Sequence, residues 1–290
     1  MKLLLRRITF ISCTTIKQTK MLHLLKIEWL KVKNYRTFWV LFILYLISIV
    51  GANYLVYEVL MANFRETMAK NPTDAFIRMM IGTPPYAFPL SWAMTAYVSS
   101  FLLIIPGFLT IILFTNEFTF KTHRQNLIDG LTRNQFITAK LLSIIALCFI
   151  SALTVVITGF AFGSLTSTKP FSGEYLKYFS FSFLQCLSYC SLALMFGTIF
   201  KRSGIALGVY FIYVVIFDNV LFQVLNKYVY NTGYFLPIET ADNLIPLPIA
   251  ESVQEHFLVK PDFTYILLSC FAYLALYIFV SYRKFKSDNL

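Results

Sequence analysis

Six long apolar stretches alternate with shorter polar segments along the 290-residue chain. Each stretch holds about 20 residues, the length that an α-helix needs to cross the hydrocarbon core of a bilayer. The pattern therefore predicts an all-α polytopic membrane protein with six transmembrane helices. The predicted spans cover about 38–57, 92–114, 141–163, 179–200, 205–225 and 263–282.

Proline and glycine positions predict how some of these spans bend and pack. The second span contains Pro106 and Gly107. Because proline removes a backbone hydrogen bond, we expect this span to bend near mid-membrane. Two pairs of glycines are spaced by four residues, Gly159 with Gly163 and Gly204 with Gly208. Such spacing lets helices approach closely, and we expect these contacts to lie within the chain.

A polar, basic segment, Asn116 to Lys140, joins the second predicted span to the third. It is longer than a turn requires. Asn126 or Asp129 can cap a helix and Gly130 can supply a turn, so the segment predicts helix, turn and helix at the membrane surface. From charge alone, a solvated loop is the simpler interpretation.

The order of residues in this segment, E-x4-T-x-R-x2-L-x-D-G-x2-R-x2-F-x3-K, resembles the cytoplasmic loop of ABC-2-type transporter permeases. In that family the loop carries a coupling helix, which rests in a groove of a separate ATPase subunit. The resemblance implies that seven residues couple the chain to an ATPase: Glu117, Thr122, Arg124, Asp129, Gly130, Arg133 and Lys140. Asp129-Gly130 replaces the usual proline near the midpoint, so the resemblance does not define the helix boundary there.

Two segments precede the first predicted span. Residues 1–20 carry an apolar patch too short to cross a membrane, and we expect a disordered extension before a single permease domain at 21–290. A helix over 21–36 would place four residues on one stripe: Leu22, Leu25, Trp29 and Val32. This predicts an interfacial helix along the inner leaflet. ABC-2 permeases have such a helix beside the ATPase, and a plain juxtamembrane anchor is the alternative.

Asp218 lies inside the fifth predicted span, with Asn219 next to it. Acidic residues within a membrane are costly and are candidates for functional sites. Three alternatives stay open for Asp218: contact with water, a protonated side chain, or the capping of a re-entrant turn. The outer segment that follows contains Pro237, and the resemblance implies two short re-entrant helices there that form an outer gate. These three residues are the candidates for a pathway or gate.

Composition and charge support the membrane assignment. Hydrophobic residues make up 58% of the chain and charged residues 13%, whereas soluble domains carry about 25% charged residues. The net charge of +11 could suggest a nucleic-acid partner, but the basic residues lie in short loops beside apolar runs, so we expect none. Most of them share one face with both termini and the 116–140 segment. This face is predicted to be cytoplasmic, which indicates a multi-pass protein of the cell inner membrane.

Motifs for catalysis are absent from the sequence. Without a G-x4-G-K-[ST] phosphate loop, the chain is not expected to hydrolyse ATP. Cys186 and Cys190 share a helix face, but the sequence indicates no other ligands, so we expect buried thiols, no disulfides and no metal. We therefore predict a protein that is not an enzyme and binds no cofactor itself, with ATP and Mg²⁺ on the partner ATPase.

These features together predict the permease subunit of an ABC transporter, in the direction of export. The resemblance implies a homodimer or a heterodimer with a second permease subunit, in which closure of the ATPase subunits moves the 116–140 segment. A secondary transporter or channel that works without ATP would need polar residues at mid-membrane, for which the sequence offers little beyond Asp218. A membrane scaffold of a secretion or motility machine is the other alternative. The substrate is not indicated.

Overall fold

The computed structural model describes residues 24–70, 84–128, 131–167, 171–229, 232–248 and 261–287. The predicted extension at 1–20 and Leu22 lie outside these ranges. The described residues are helical and contain no strand. Among them, five helices are long and apolar enough to cross a membrane, and a bent pair can form a sixth span. The all-α membrane fold is thereby confirmed.

Most helices extend beyond the predicted spans. The long elements are α2 (Arg36–Lys70), α3 (Leu90–Ser100), α4 (Ile104–Thr119), α6 (Arg133–Thr166), α7 (Lys177–Phe200), α8 (Ser203–Ile212), α9 (Asp218–Tyr228) and α11 (Phe263–Ser287). The short ones are α1 (24–33), α5 (Thr122–Ile128) and α10 (Glu239–Asp242). The prediction was too short for α2 and α6, because an apolar run marks the part of a helix that suits lipid and not its polar ends.

α7 is the central helix of the bundle, with α3, α4, α6 and α11 packed around it. In its apolar window 67% of the residues are buried, compared with 22% in α2, in the fifth span and in α11. Small side chains on α7, such as Ser188, Ser191 and Ala193, are buried and let its neighbours approach closely. The outer helices leave most of their apolar surface uncovered, as lipid or a second subunit requires.

The second span is broken between α3 and α4, which meet at 49°. Pro106 lies in the first turn of α4 and has no N–H to donate to the Leu102 carbonyl across the break. The hydroxyl of Tyr210 occupies the place that a Cβ on Gly107 would take. The predicted bend is confirmed, and the adjacent glycine makes room for a fully buried tyrosine.

The two glycine pairs differ in their surroundings. Gly159 and Gly163 of α6 both pack against the chain around α3, and a Cβ on Gly163 would lie 2.5 Å from the ring of Phe88. The prediction of a contact within the chain is confirmed for this pair. It is wrong for Gly204 and Gly208 of α8, because a Cβ on either would meet nothing within 4 Å.

The fifth span runs from Ser203 to Tyr228 and includes one π-helical segment, Tyr213–Phe217, between α8 and α9. A 3₁₀ turn at Gly233–Phe235 and the short helix α10 follow. α10 packs against α7 and α11, which brings this segment over the middle of the bundle. We call the end of the bundle that carries α10 the acidic end. We call the end where α4 stops and α6 starts the basic end.

Candidate functional site

Four charged side chains from three helices meet at the basic end, and we call them the charge cluster: Glu28 and Lys31 of α1, Glu117 of α4, and Lys140 of α6. The Lys140 ammonium donates to Glu28 Oε2 at 2.5 Å and to Glu117 Oε1. The Lys31 ammonium donates to Glu28 Oε1 at 2.8 Å and to Glu117 Oε1 at 3.1 Å. Glu28 and Lys140, which lie 112 positions apart in the chain, are thereby joined.

Three of the four side chains in the charge cluster are buried, Lys31 is partly exposed, and the formal charges balance. Glu28 and Lys140 are 5% exposed and Glu117 is 6% exposed. The ring of Phe136 lies 5.8 Å from the Lys31 ammonium and 5.4 Å from that of Lys140. Removing one partner from a buried ion pair leaves an uncompensated charge, so separating these helices is costly. The cluster therefore ties α1, α4 and α6 into one unit.

Glu28 is a site residue that the sequence reasoning missed. Burial alone would raise the pKa of Glu28, but the ammonium groups of Lys140 and Lys31 outweigh burial and hold its pKa below the ordinary value. A signal was present, because Glu28 is the only acidic residue in the segment 21–36 and lies three positions before Lys31. An acid on the buried side of a basic helix indicates a cationic partner elsewhere.

The predicted coupling residues divide into two groups. Glu117 and Lys140 bind each other inside the charge cluster and are not at the surface. Arg133 begins α6, and its Nη1 donates to the carbonyl oxygen of Lys286 at 2.5 Å, which fastens α6 to α11. Thr122 is exposed at the start of α5. The side chain of Arg124 in α5, and both Asp129 and Gly130, lie outside the part of the chain that the structure describes.

The helix α6 begins with a cap that the sequence analysis did not name. Thr132 caps α6, and it forms a capping box with Gln135 in which each side chain bonds the other's backbone. Asn126 and Asp129 were the predicted alternatives for a cap in this segment, and Asp129 and the side chain of Asn126 lie outside the part of the chain that the structure describes. Thr132 takes the capping position because a Thr-x-x-Gln pattern satisfies two of the free N–H groups at a helix start.

α5 is a seven-residue helix held against the end of α4. His123 Nδ1 donates to the carbonyl oxygen of Glu117 at 2.9 Å, and its ring stacks on Phe118 with centroids 4.6 Å apart. Two large apolar side chains beside these anchors are exposed, Phe120 at 72% and Ile128 at 84%. The short helix is therefore fixed on one side and open on the other.

The predicted stripe of α1 lines a groove. Leu25, Trp29 and Val32 face an apolar groove of about 360 Å³ between α1, α2, α4 and α6. The Trp29 ring meets the Trp39 ring edge-on at 5.9 Å and is 54% exposed. The face of α1 that is buried in the protein carries Leu24 and Glu28 instead.

A second polar region lies at the acidic end. A cavity of about 420 Å³, which we call the acidic cavity, opens between the α3–α4 break, the π-helical segment and the residues around α10. Two carboxylates line it, Glu239 and Asp242. Asp242 accepts hydrogen bonds from Tyr189 Oη and Gln185 Nε2, both at 2.9 Å, and Glu239 accepts from Asn243 at 3.2 Å. The sequence reasoning named neither acid as a site residue.

Burial changes the acid strength of these two groups. It raises the pKa of Glu239 to about 7, with a further rise from the neighbouring carboxylates of Asp242 and Asp218. It also raises the pKa of Asp242 to about 6, although the hydrogen bonds from Gln185 and Tyr189 act in the opposite direction. Their spacing of three positions on one short helix was the signal in the sequence, since such residues share a helix face.

Asp218 is placed behind the acidic cavity and is 1% exposed. Its Oδ2 accepts from the backbone N–H of Glu239 at 3.2 Å, at the start of α10. Of the three alternatives left open by the sequence, this contact matches the capping of a turn. Its Oδ1 has no hydrogen-bond partner among the described residues.

The other two candidate gate residues lie close by. Asn219 lines the acidic cavity, and its side-chain amide donates to the carbonyl oxygens of Val214 at 3.2 Å and Val215 at 3.3 Å. These bonds satisfy carbonyls of the π-helical segment. Pro237 precedes α10, and its carbonyl oxygen accepts from the Thr240 hydroxyl at 3.1 Å. Both residues thus stabilise backbone at the acidic end.

Three thiols converge in the bundle core. Cys148 of α6 joins Cys186 and Cys190 of α7, with their sulfur atoms within 4.8 Å of one another. All four described cysteines are free and buried, as predicted. The expectation that no further ligand accompanies Cys186 and Cys190 was wrong, because packing of α6 on α7 supplies a third thiol that sequence spacing does not show.

Comparison with known proteins supports the resemblance noted in the sequence. A family model described as ABC-2 family transporter protein matches residues 22–290. The matched range includes all of the helices described above. A search of curated proteins finds no match.

Proposed function

The chain belongs to the ABC-2 family of transporter proteins, and on that premise we propose that it is the permease subunit of an ABC exporter. The family match and the apolar helices make it a multi-pass membrane protein that works with an ABC ATPase subunit. The proposal adds the direction of transport and the path of coupling. ATP and Mg²⁺ would bind the partner ATPase, and this chain would have no enzyme activity of its own.

The charge cluster is the observation that carries the coupling proposal. A force on α5 acts on the last turn of α4 through the bond from His123 to the Glu117 carbonyl. It then reaches α6 through Lys140 and α1 through Glu28. Because breaking a buried ion pair costs about 3–5 kcal/mol, these helices are expected to move together.

We place the ATPase on the open side of α5. Phe120 and Ile128 give that side apolar contact area, and Arg124 is the basic residue that the family resemblance assigns there. Arg133 takes a different role from the one first expected, because it donates to the Lys286 carbonyl and so can carry motion to α11. α1, with Leu25, Trp29 and Val32 along its groove, would lie at the inner leaflet as the interfacial helix.

Sidedness and assembly complete the proposal. The basic end would face the cytoplasm with both termini, since lysines and arginines concentrate there. A homodimer or heterodimer of permease subunits would cover part of the apolar surface left open on α2, the fifth span and α11. The acidic cavity would then open on the outer side.

Co-purification tests the proposed partner surface. The tagged chain is expressed with its ATPase, and the ATPase in the eluate is quantified for Ile128→Glu and Arg124→Glu. We expect a loss of at least about tenfold for Ile128→Glu, because buried apolar anchors dominate interface energy. Leu165→Glu is the matched control, since Leu165 is 78% exposed at the other end of α6. Full retention of the ATPase by both variants would contradict the proposed surface.

A channel or secondary transporter is the second candidate, and the acidic cavity favours it. This class needs polar residues within the bundle, and Asp218, Glu239 and Asp242 supply them. The purified chain in liposomes, without an ATPase or nucleotide, distinguishes the two. Movement of solute down its gradient under these conditions would favour the channel and contradict the ABC exporter.

A further inference from the structure

The described residues in the walls of the acidic cavity carry negative but no positive side chains. Glu239 and Asp242 line it together with the amides of Asn219 and Asn243. No lysine, arginine or histidine is among the described residues of its walls. Asp218 adds a third carboxylate close enough to raise the pKa of both Glu239 and Asp242.

None of these three carboxylates forms an ion pair with a described residue, whereas each carboxylate of the charge cluster has two. Charges in a low-dielectric site require a partner or must be neutralised. Burial raises the pKa values of Glu239 and Asp242, and the carboxylate of Asp218 raises them further. The site is therefore arranged to accept a cation from outside the described chain.

Two further polar atoms beside the cavity have no hydrogen-bond partner in the part of the chain that the structure describes. Gln185 is 1% exposed, and its Nε2 donates to Asp242, so its side chain is directed at a carboxylate of the cavity wall. Its Oε1 has no hydrogen-bond partner among the described residues, and neither has Asp218 Oδ1. Both atoms are oxygens with negative partial charge, so they add to the negative potential beside the cavity.

Aromatic rings indicate which cations fit. Tyr97 and Phe101 lie on one side of the cavity, with ring centroids 5.4 Å apart in an edge arrangement, and Phe101 is 70% exposed. Tyr189 contributes a third ring on the wall. Aromatic faces attract organic ammonium groups, whereas a bound calcium ion needs six to eight oxygen ligands. Isoleucine, valine and leucine side chains on the remaining wall suit an organic substituent.

We propose that the acidic cavity binds the ammonium group of an organic amine, held by the carboxylates of Glu239 and Asp242 and by the rings of Tyr97 and Phe101. On the proposed function, this names the chemical class of the exported cargo. Binding of the cation needs no ATPase. Cation binding can therefore be absent while the ATPase co-purifies, and the ATPase can be lost while cation binding is retained. The two proposals are thereby distinguishable.

The test uses the purified full chain in phosphatidylcholine nanodiscs and radiolabelled benzyltrimethylammonium, measured by equilibrium dialysis. We expect saturable binding that neutral benzyl alcohol does not displace. Glu239→Gln and Asp242→Asn should each weaken binding by about tenfold to a hundredfold, because each removes a negative charge next to the bound cation. Tyr97→Leu should weaken it by about threefold or more through loss of a cation–π contact. Glu174→Gln, an exposed carboxylate away from the cavity, should change it less than twofold.

The wild-type protein alone can overturn the proposal, so it does not depend on variants that fold. Displacement of the labelled cation by benzyl alcohol would show an apolar site only. Displacement by calcium at lower concentration than by unlabelled benzyltrimethylammonium would show an inorganic cation site. Equal binding by Glu239→Gln, Asp242→Asn and wild type, with matching elution profiles and unfolding midpoints, would also contradict it.

Discussion

The two ends of this permease differ in whether their buried carboxylates have cationic partners among the described residues. At the basic end, Glu28 and Glu117 share two ammonium groups, so the carboxylates are compensated inside the protein. At the acidic end, Asp218, Glu239 and Asp242 have no cationic partner among the described residues. A compensated cluster holds helices together, whereas an uncompensated one retains the capacity to bind. On this contrast rest our proposals that the basic end transmits force and that the acidic end recognises the cargo.

The largest expected effect comes from removing one cation of the compensated end. Lys140→Met should lower the free energy of unfolding by about 3–5 kcal/mol, because two buried carboxylates would then share Lys31 alone. Thermal unfolding in detergent measures the change. Lys26→Met removes an exposed charge from α1, the helix that carries Glu28 and Lys31, and should leave the free energy of unfolding nearly unchanged. Equal midpoints for the two variants would remove the basis for calling the cluster structural.

The next effect tests whether the recognition end has fixed walls. Gly107→Ala would place a methyl group where the Tyr210 hydroxyl lies, next to the break that borders the acidic cavity. We expect a loss of about 1–3 kcal/mol from overpacking, together with weaker binding of benzyltrimethylammonium. Gly208→Ala is the matched control, since nothing lies within 4 Å of the added carbon. If both substitutions are harmless, the walls adapt and the cavity is not preformed.

Replacing a carboxylate by an amide should change the stability of the protein in opposite directions at the two ends. Glu117→Gln removes a charge that two ammonium groups use and should destabilise the protein by about 1–3 kcal/mol. Asp242→Asn removes an uncompensated charge but keeps an oxygen to accept from Tyr189, so stability should be unchanged or higher by up to about 1 kcal/mol. Unfolding midpoints of the two variants give both signs. Destabilisation of similar size in both would remove the distinction between the ends.

The smallest expected effect is a difference in response to pH. The pKa values of Glu239 and Asp242 are raised to about 7 and about 6, so these groups take up protons as pH falls through that range. A proton competes with a bound cation, so affinity for benzyltrimethylammonium should fall by about tenfold from pH 8 to pH 6. The pKa of Glu28 is lowered, so the charge cluster should stay ionised over the same range. Dialysis at several pH values measures the slope, and Glu239→Gln should flatten it.

The sequence predicted the spans and the bend, but it did not predict which polar side chains pair at either end. Apolar runs located the spans and Pro106 located the bend, because both signals are local. The pairing of Glu28 with Lys140 joins residues 112 positions apart, and that of Gln185 with Asp242 joins residues 57 apart. Only packing of the helices brings such groups together. The family resemblance pointed to Glu117 and Lys140 but placed both toward the ATPase, whereas they bind each other.

The proposal that the basic end contacts the ATPase and the acidic end binds the cation is tested most directly by two measurements on one eluate of the tagged complex. These are the amount of ATPase retained and the binding of labelled benzyltrimethylammonium. The account predicts that Ile128→Glu loses the ATPase and keeps cation binding, whereas Glu239→Gln keeps the ATPase and loses cation binding. If either variant loses both properties while remaining folded, or if the two losses are exchanged, the assignment of the two ends is wrong.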